Sequence, residues 1–165
     1  MNKVNKIYVG SDHNGYELKE KIKIWLKDWG YEFEDMGAHE LNPQDDYPDF
    51  IKPVAQAVSE NPNENRGIVL GFNGQGEAIV ANRYRGVRAV VFYGEPQNIS
   101  EQGKKREDKP KNMIILSRED DSTNVLSLAA GFLSDKDAQE AIKLWLETEF
   151  SGEARHMRRI KKIDE

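Results

Sequence analysis

Ile68-Val69-Leu70-Gly71-Phe72-Asn73-Gly74-Gln75-Gly76-Glu77 carries a β-branched apolar run into a glycine-rich turn, and a helix start follows from Glu77 to Arg83. A short strand that ends in a loop and leads into a helix is the repeating unit of a parallel sheet covered by helices on both faces. The unit recurs on either side. Upstream, Ile7-Tyr8-Val9 ends at Gly10, Ser11-Asp12-His13-Asn14-Gly15 forms a polar loop, and a helix is expected over 16–29. Leu18, Ile22, Trp25, Leu26 and Trp29 give that helix one apolar face, and Gly30 stands at its stop. Tyr31 to Met36 reads as a second strand. Asp49 to Glu60 reads as a helix with Phe50, Val54, Ala57 and Val58 inward and Pro53 near its first turn. Downstream, 89–93 and 125–128 read as strands. Ser134 caps a helix expected over 135–150, with Ala138, Ala141, Ile142, Trp145 and Leu146 as its stripe. Residues 95–112 break the pattern and read as an exposed insertion.

The remaining composition narrows the class. At 165 residues, 38% hydrophobic, the chain has the size of one compact domain (1–150) with a basic tail helix (151–165). Its 24 basic and 29 acidic residues give a net charge of −5, without a field that draws nucleic acid or an anionic membrane. Zero cysteines exclude disulfides, thiolate metal sites and a cysteine nucleophile. No apolar run approaches the roughly 20 residues that span a bilayer, and no signal-type segment precedes the first strand. The expectation is a soluble, cytoplasmic protein.

The loop Gly71-Phe72-Asn73-Gly74-Gln75-Gly76 suits close approach of backbone amides to a phosphate or an enediolate oxyanion, or is simply a tight turn. Its G-x-x-G-x-G spacing is neither the dinucleotide fingerprint nor the nucleotide P-loop. Glu77 is a general base or a first-turn acid that complements the helix dipole. Asp12-His13 stands where open α/β sheets place ligands, or is a capping aspartate beside a surface histidine. Asp45-Asp46-Tyr47-Pro48-Asp49 could hold a divalent metal through its carboxylates, but it lacks histidines at ligand spacing, which disfavours a metal site. Arg155 and Arg159, four apart on a helix, share a face that suits one phosphate dianion, or merely solvate the tail.

Taken together, Gly10 to Lys19, Asp46-Tyr47-Pro48-Asp49-Phe50, Gly67 to Arg88, Thr123-Asn124-Val125-Leu126, Leu146 to Phe150 and Arg155-His156-Met157-Arg158-Arg159 resemble the type B ribose-5-phosphate isomerases. That family includes the galactose-6-phosphate isomerase subunits. The resemblance implies a Rossmann-like three-layer α/β/α sandwich with a central parallel five-stranded sheet. It implies an aldose–ketose isomerase of sugar phosphates working through a cis-enediolate, with no metal, no organic cofactor, no nucleic acid and no membrane. It also implies a homodimer or homotetramer with active sites between subunits. Some members use a cysteine base at the position of Gly71, and others a glutamate at that of Glu77, which this chain retains. By the same carry-over, amides of Phe72, Asn73, Gly74, Gln75 and Gly76 hold the enediolate. Asp12, His13, Tyr47 and Asp121 contact substrate, and Arg155 and Arg159 bind phosphate.

The chain departs from the pattern twice. The ring-opening histidine of the family falls on Asp120, and a phosphate-binding arginine falls near Gly131. A carboxyl group of ordinary pKa, about 4, does not donate a proton at pH 7 as an imidazole does. The departures point to a sugar phosphate of different ring tendency or length as readily as to ribose 5-phosphate. The alternatives are a non-catalytic sugar-phosphate-binding or assembly subunit and, less well matched by the glycine spacing, a nucleotide-binding module.

Overall fold

A computed structural model describes residues 4–95, 100–104 and 112–165. The elements are β1 (Ile7–Ser11), α1 (Tyr16–Asp28), β2 (Phe33–Asp35), α2 (Pro48–Glu60), β3 (Arg66–Gly71), α3 (Gln75–Ala81), β4 (Ala89–Phe92), α4 (Glu101–Lys104), α5 (Met113–Glu119), β5 (Val125–Ala129), α6 (Asp135–Glu147) and α7 (Ala154–Lys161). All five strands run parallel in the order β2-β1-β3-β5-β4. Every residue of the central strand β3 is buried, as a strand covered on both faces requires.

Alternation along the strands divides the core in two. Ile7, Val9, Ile68, Leu70, Leu126 and Leu128 point to the side covered by α1, α5 and α6, where Trp145 is fully buried. Tyr8, Val69 and Val125 point to the other side, against α2 and the end of α3. The sheet with helices on both faces is the expected α/β/α sandwich. No helix among the described residues is long and apolar enough to cross a membrane.

Some local expectations are corrected. The buried face of α2 is Ile51, Val54, Ala55 and Val58, while Phe50 and Ala57 are half-buried. Residues 51, 54, 55 and 58 make the better-centred 3.6-residue stripe, and Phe50 lies at its rim. Pro53 is the sixth residue of α2, beyond the first turn, so the helix forgoes one internal hydrogen bond there. The helix expected to reach Phe150 ends at Glu147, because Thr148 turns to extended backbone. Met113 opens α5, whose first amides, those of Ile114 and Ile115, donate to the Asn112 side chain. Of the expected insertion, Glu101–Lys104 is helical, whereas 96–99 and 105–111 lie outside the described residues.

Candidate active site

In a parallel sheet every strand delivers its following loop to the same edge. At the carboxyl edge β1 presents Asp12 and His13, and β3 presents the glycine loop. The Asp12 carboxylate accepts hydrogen bonds from the Asn14 and Gly15 amides and from the Asn14 side chain. This fixes the entry into α1 and leaves Asp12 buried beside the loop. His13 Nδ1 is 2.5 Å from Asp45 Oδ1, and that hydrogen bond raises the imidazole above its ordinary pKa. The other Asp45 oxygen is buried and has no hydrogen-bond partner among the described residues.

The glycine loop is held in one shape. Gly74 adopts a left-handed φ of 71°, and buried Ser127 of β5 donates to its carbonyl at 2.7 Å. Asn73 Oδ1 accepts from the Gln75 amide at 3.0 Å. The Phe72, Asn73 and Gly74 amides donate to no protein group among the described residues. Tyr47 packs its ring against Gly76. Glu77, 4% exposed, lies in the first turn of α3 and folds back onto the end of β3. A Cβ at Gly71 would stand 1.9 Å from Glu77 Oε1 and 2.7 Å from Oε2. The carboxylate therefore occupies the space that any side chain at position 71 would need. Burial pushes the Glu77 carboxyl above its ordinary pKa, its own backbone N–H opposes this, and the charge of Asp12 adds to the rise.

Gly131 explains one departure. A Cβ there would stand 2.4 Å from the ring of Phe72, so no arginine fits at 131 while Phe72 keeps this position. Phe72 stacks edge-on to Phe132, and Phe132 to Tyr93, and all three are exposed at the rim of the loop.

Asp120, Asp121, Arg155 and Arg159 stand elsewhere. Asp120 and Asp121 precede β5, whereas Glu77 follows β3, and Gly67 pairs with Val125 at the amino ends of these strands. The aspartates thus lie at the edge of the sheet opposite Glu77. The tail helix α7 gathers there too. His156 Nε2 is 3.5 Å from Asp120 Oδ1, and Ser151 donates to the Glu119 carbonyl at 2.7 Å. Burial and then the charge of Asp120 raise the Asp121 carboxyl, while His156, Arg159 and Arg88 pull it down. One chain therefore carries Glu77 and the glycine loop at one edge of the sheet, and Asp120, Asp121, Arg155 and Arg159 at the other.

The ribose/galactose isomerase family model matches residues 7–108 and 109–163. The chain belongs to the ribose/galactose isomerase family. This membership makes it an enzyme of the isomerase class. A probable ribose-5-phosphate isomerase B of Mycoplasma genitalium is 32% identical over 157 residues, 95% of this chain and 92% of that one. Ribose-5-phosphate isomerase B of Mycobacterium tuberculosis is 31% identical, over 94% of this chain and 85% of that one. The crystal structure of the M. genitalium protein with bound ribulose-5-phosphate superposes with a TM-score of 0.82, covering 96% of this chain and 93% of that one. The Thermotoga maritima protein, 37% identical, gives 0.80 over 96% of this chain and 97% of that one.

Asp12, His13 and Asp45 bring three ligand-type atoms within 4.8 Å of one another. Asp12 is already spent on three N–H donors and His13 Nδ1 on Asp45, so a cation there would have to displace that network. Sequence reasoning missed His156 and Ser127. A single histidine in a basic helix and a serine in an apolar strand give no spacing signal, because what matters is contact across the fold.

Proposed function

We propose that this isomerase interconverts an aldose phosphate and a ketose phosphate, with Glu77 as the base and a cis-enediolate as the intermediate. The seating of the buried Glu77 carboxylate against Gly71, beside loop amides that have no acceptor among the described residues, carries this reading. The ionised carboxylate takes the proton alpha to the carbonyl and the electron pair moves onto the carbonyl oxygen. A proton then passes from the adjacent hydroxyl oxygen to that oxygen, and Glu77 returns its proton to the former carbonyl carbon as the new carbonyl forms. A base raised above the usual carboxylate range gives a better-matched proton transfer. The amides of the loop, at the start of α3, face the developing oxyanion.

Substrate also needs the phosphate grip of Arg155 and Arg159, which one chain keeps at its opposite sheet edge. We assign them, with Asp120, Asp121 and α7, to a second copy, so that each site forms between two subunits of a homodimer. The ribulose-5-phosphate bound in the M. genitalium relative supports a sugar phosphate as ligand. Gly131 and Asp120 favour a second reading, a subunit that binds sugar phosphates without turning them over. Solvent deuterium uptake into a panel of pentose and hexose phosphates separates the two. Uptake that falls about 10²-fold or more in Glu77→Gln supports catalysis, and binding without uptake supports the second reading.

A further inference from the structure

Resting on the isomerase reading, we propose that His156 is a positioning residue that supplies, through Asp120, the proton with which a cyclic sugar phosphate is opened. The observation is spatial. His156 is 3% exposed, and its Nε2 faces Asp120 Oδ1 at 3.5 Å, Glu153 Oε2 at 3.7 Å and Arg155 Nε at 3.1 Å. Arg155 in turn pairs with Glu153 at 2.8 Å. Asp120, the more exposed partner, is the group able to meet substrate, and the imidazole stands behind it.

Opening a furanose transfers one proton from the anomeric hydroxyl to the ring oxygen as the C1–O4 bond breaks and C1=O forms. An ionised carboxylate alone accepts the first proton but holds none for the ring oxygen. The Asp120–His156 pair carrying one proton does both. The Nε2 proton passes to Asp120 Oδ1 and on to the ring oxygen, while the second Asp120 oxygen takes the anomeric proton. The substrate loses one proton and gains one, and the pair ends with the single proton it began with.

Arg155 gates the pair. Its Nε–H is shared between Glu153 Oε2 at 2.8 Å and His156 Nε2 at 3.1 Å. An arginine drawn onto the substrate phosphate leaves Nε2 to hydrogen-bond with Asp120 instead. Among the described residues, charged groups beside the pair include Asp121 after α5, Glu153, Arg155 and Arg159 on and before α7, and Arg88 just before β4.

The test compares two readouts in wild type, His156→Asn, His156→Gln and Asp120→Asn. The first is kcat and its pH profile with ribose 5-phosphate, which is mainly cyclic. The second is solvent deuterium uptake at C1 of ribulose 5-phosphate, which stays open-chain because its C5 hydroxyl is phosphorylated. The proposal expects kcat from ribose 5-phosphate to fall at least ~10-fold more than deuterium uptake in both histidine variants, within the range for loss of one acid–base group. It expects the pH dependence of kcat to change and the double variant with Asp120→Asn to lose little more than either single one. Equal losses in the two readouts, or none, overturn it while the isomerase reading stands. A folded wild type that exchanges deuterium into no sugar phosphate withdraws that reading and this inference together.

Discussion

Gly71→Ala is the smallest change that addresses the proposed base, Glu77. The three nearest heavy atoms to a Cβ at 71 are Glu77 Oε1 at 1.9 Å, Cδ at 2.3 Å and Oε2 at 2.7 Å. An ordinary contact of about 3.4 Å requires the carboxylate to retreat by about 1.5 Å, and a misplacement of about 1 Å already costs on the order of 10²-fold in rate. The displaced group is the far end of a flexible side chain, so stability should change by only about 1 kcal/mol or less. The assay is kcat for deuterium uptake beside a thermal melt. We expect a loss of about 10²-fold with a nearly unchanged melting temperature. Gly71→Cys combined with Glu77→Ala, which puts a thiol where the cysteine-base relatives carry theirs, should recover part of the rate. A Gly71→Ala protein at wild-type rate would refute the placement of the base.

Other outcomes follow from the same geometry. Because burial raises the Glu77 carboxyl, activity should rise with pH along a limb above the ordinary carboxylate range. The folded state also holds this proton where the unfolded state has lost it. Stability should therefore fall as pH climbs from the unfolded to the raised folded pKa, and Glu77→Gln should remove that slope in denaturant titrations. Asp45→Ala removes the hydrogen bond that raises His13, so the His13 titration followed by NMR should move to lower pH. Ser127→Ala leaves the buried Gly74 carbonyl without its donor, which should cost about 1–3 kcal/mol in a chemical melt and lower kcat by loosening the loop.

The alternation of strands and helices made the layered sheet readable, because burial on both faces leaves continuous apolar runs such as Ile68-Val69-Leu70. The rotation of α2 about its axis was less legible, since Phe50 and Ile51 are both apolar and only packing chooses between them. Glu77 was readable as a candidate from its place after the glycines. Its contact with Gly71 was not, because the return of α3 onto β3 is a tertiary event. The separation of Asp120 from Glu77 was equally hidden, since position along the chain says nothing of sheet edge until the strands are parallel and in register.

The proposed site is complete only where two copies meet, and mixing subunits with complementary defects probes this. Glu77→Gln chains lack the base, and Arg155→Ala/Arg159→Ala chains lack the phosphate grip. Each should be nearly inactive alone. Co-expressed in equal amounts, half of the dimers are mixed, and one of the two sites in each mixed dimer has both halves intact. The account predicts recovery of roughly a quarter of wild-type activity. Mixed dimers, verified by differential tags, that remain as inactive as their parents would contradict it.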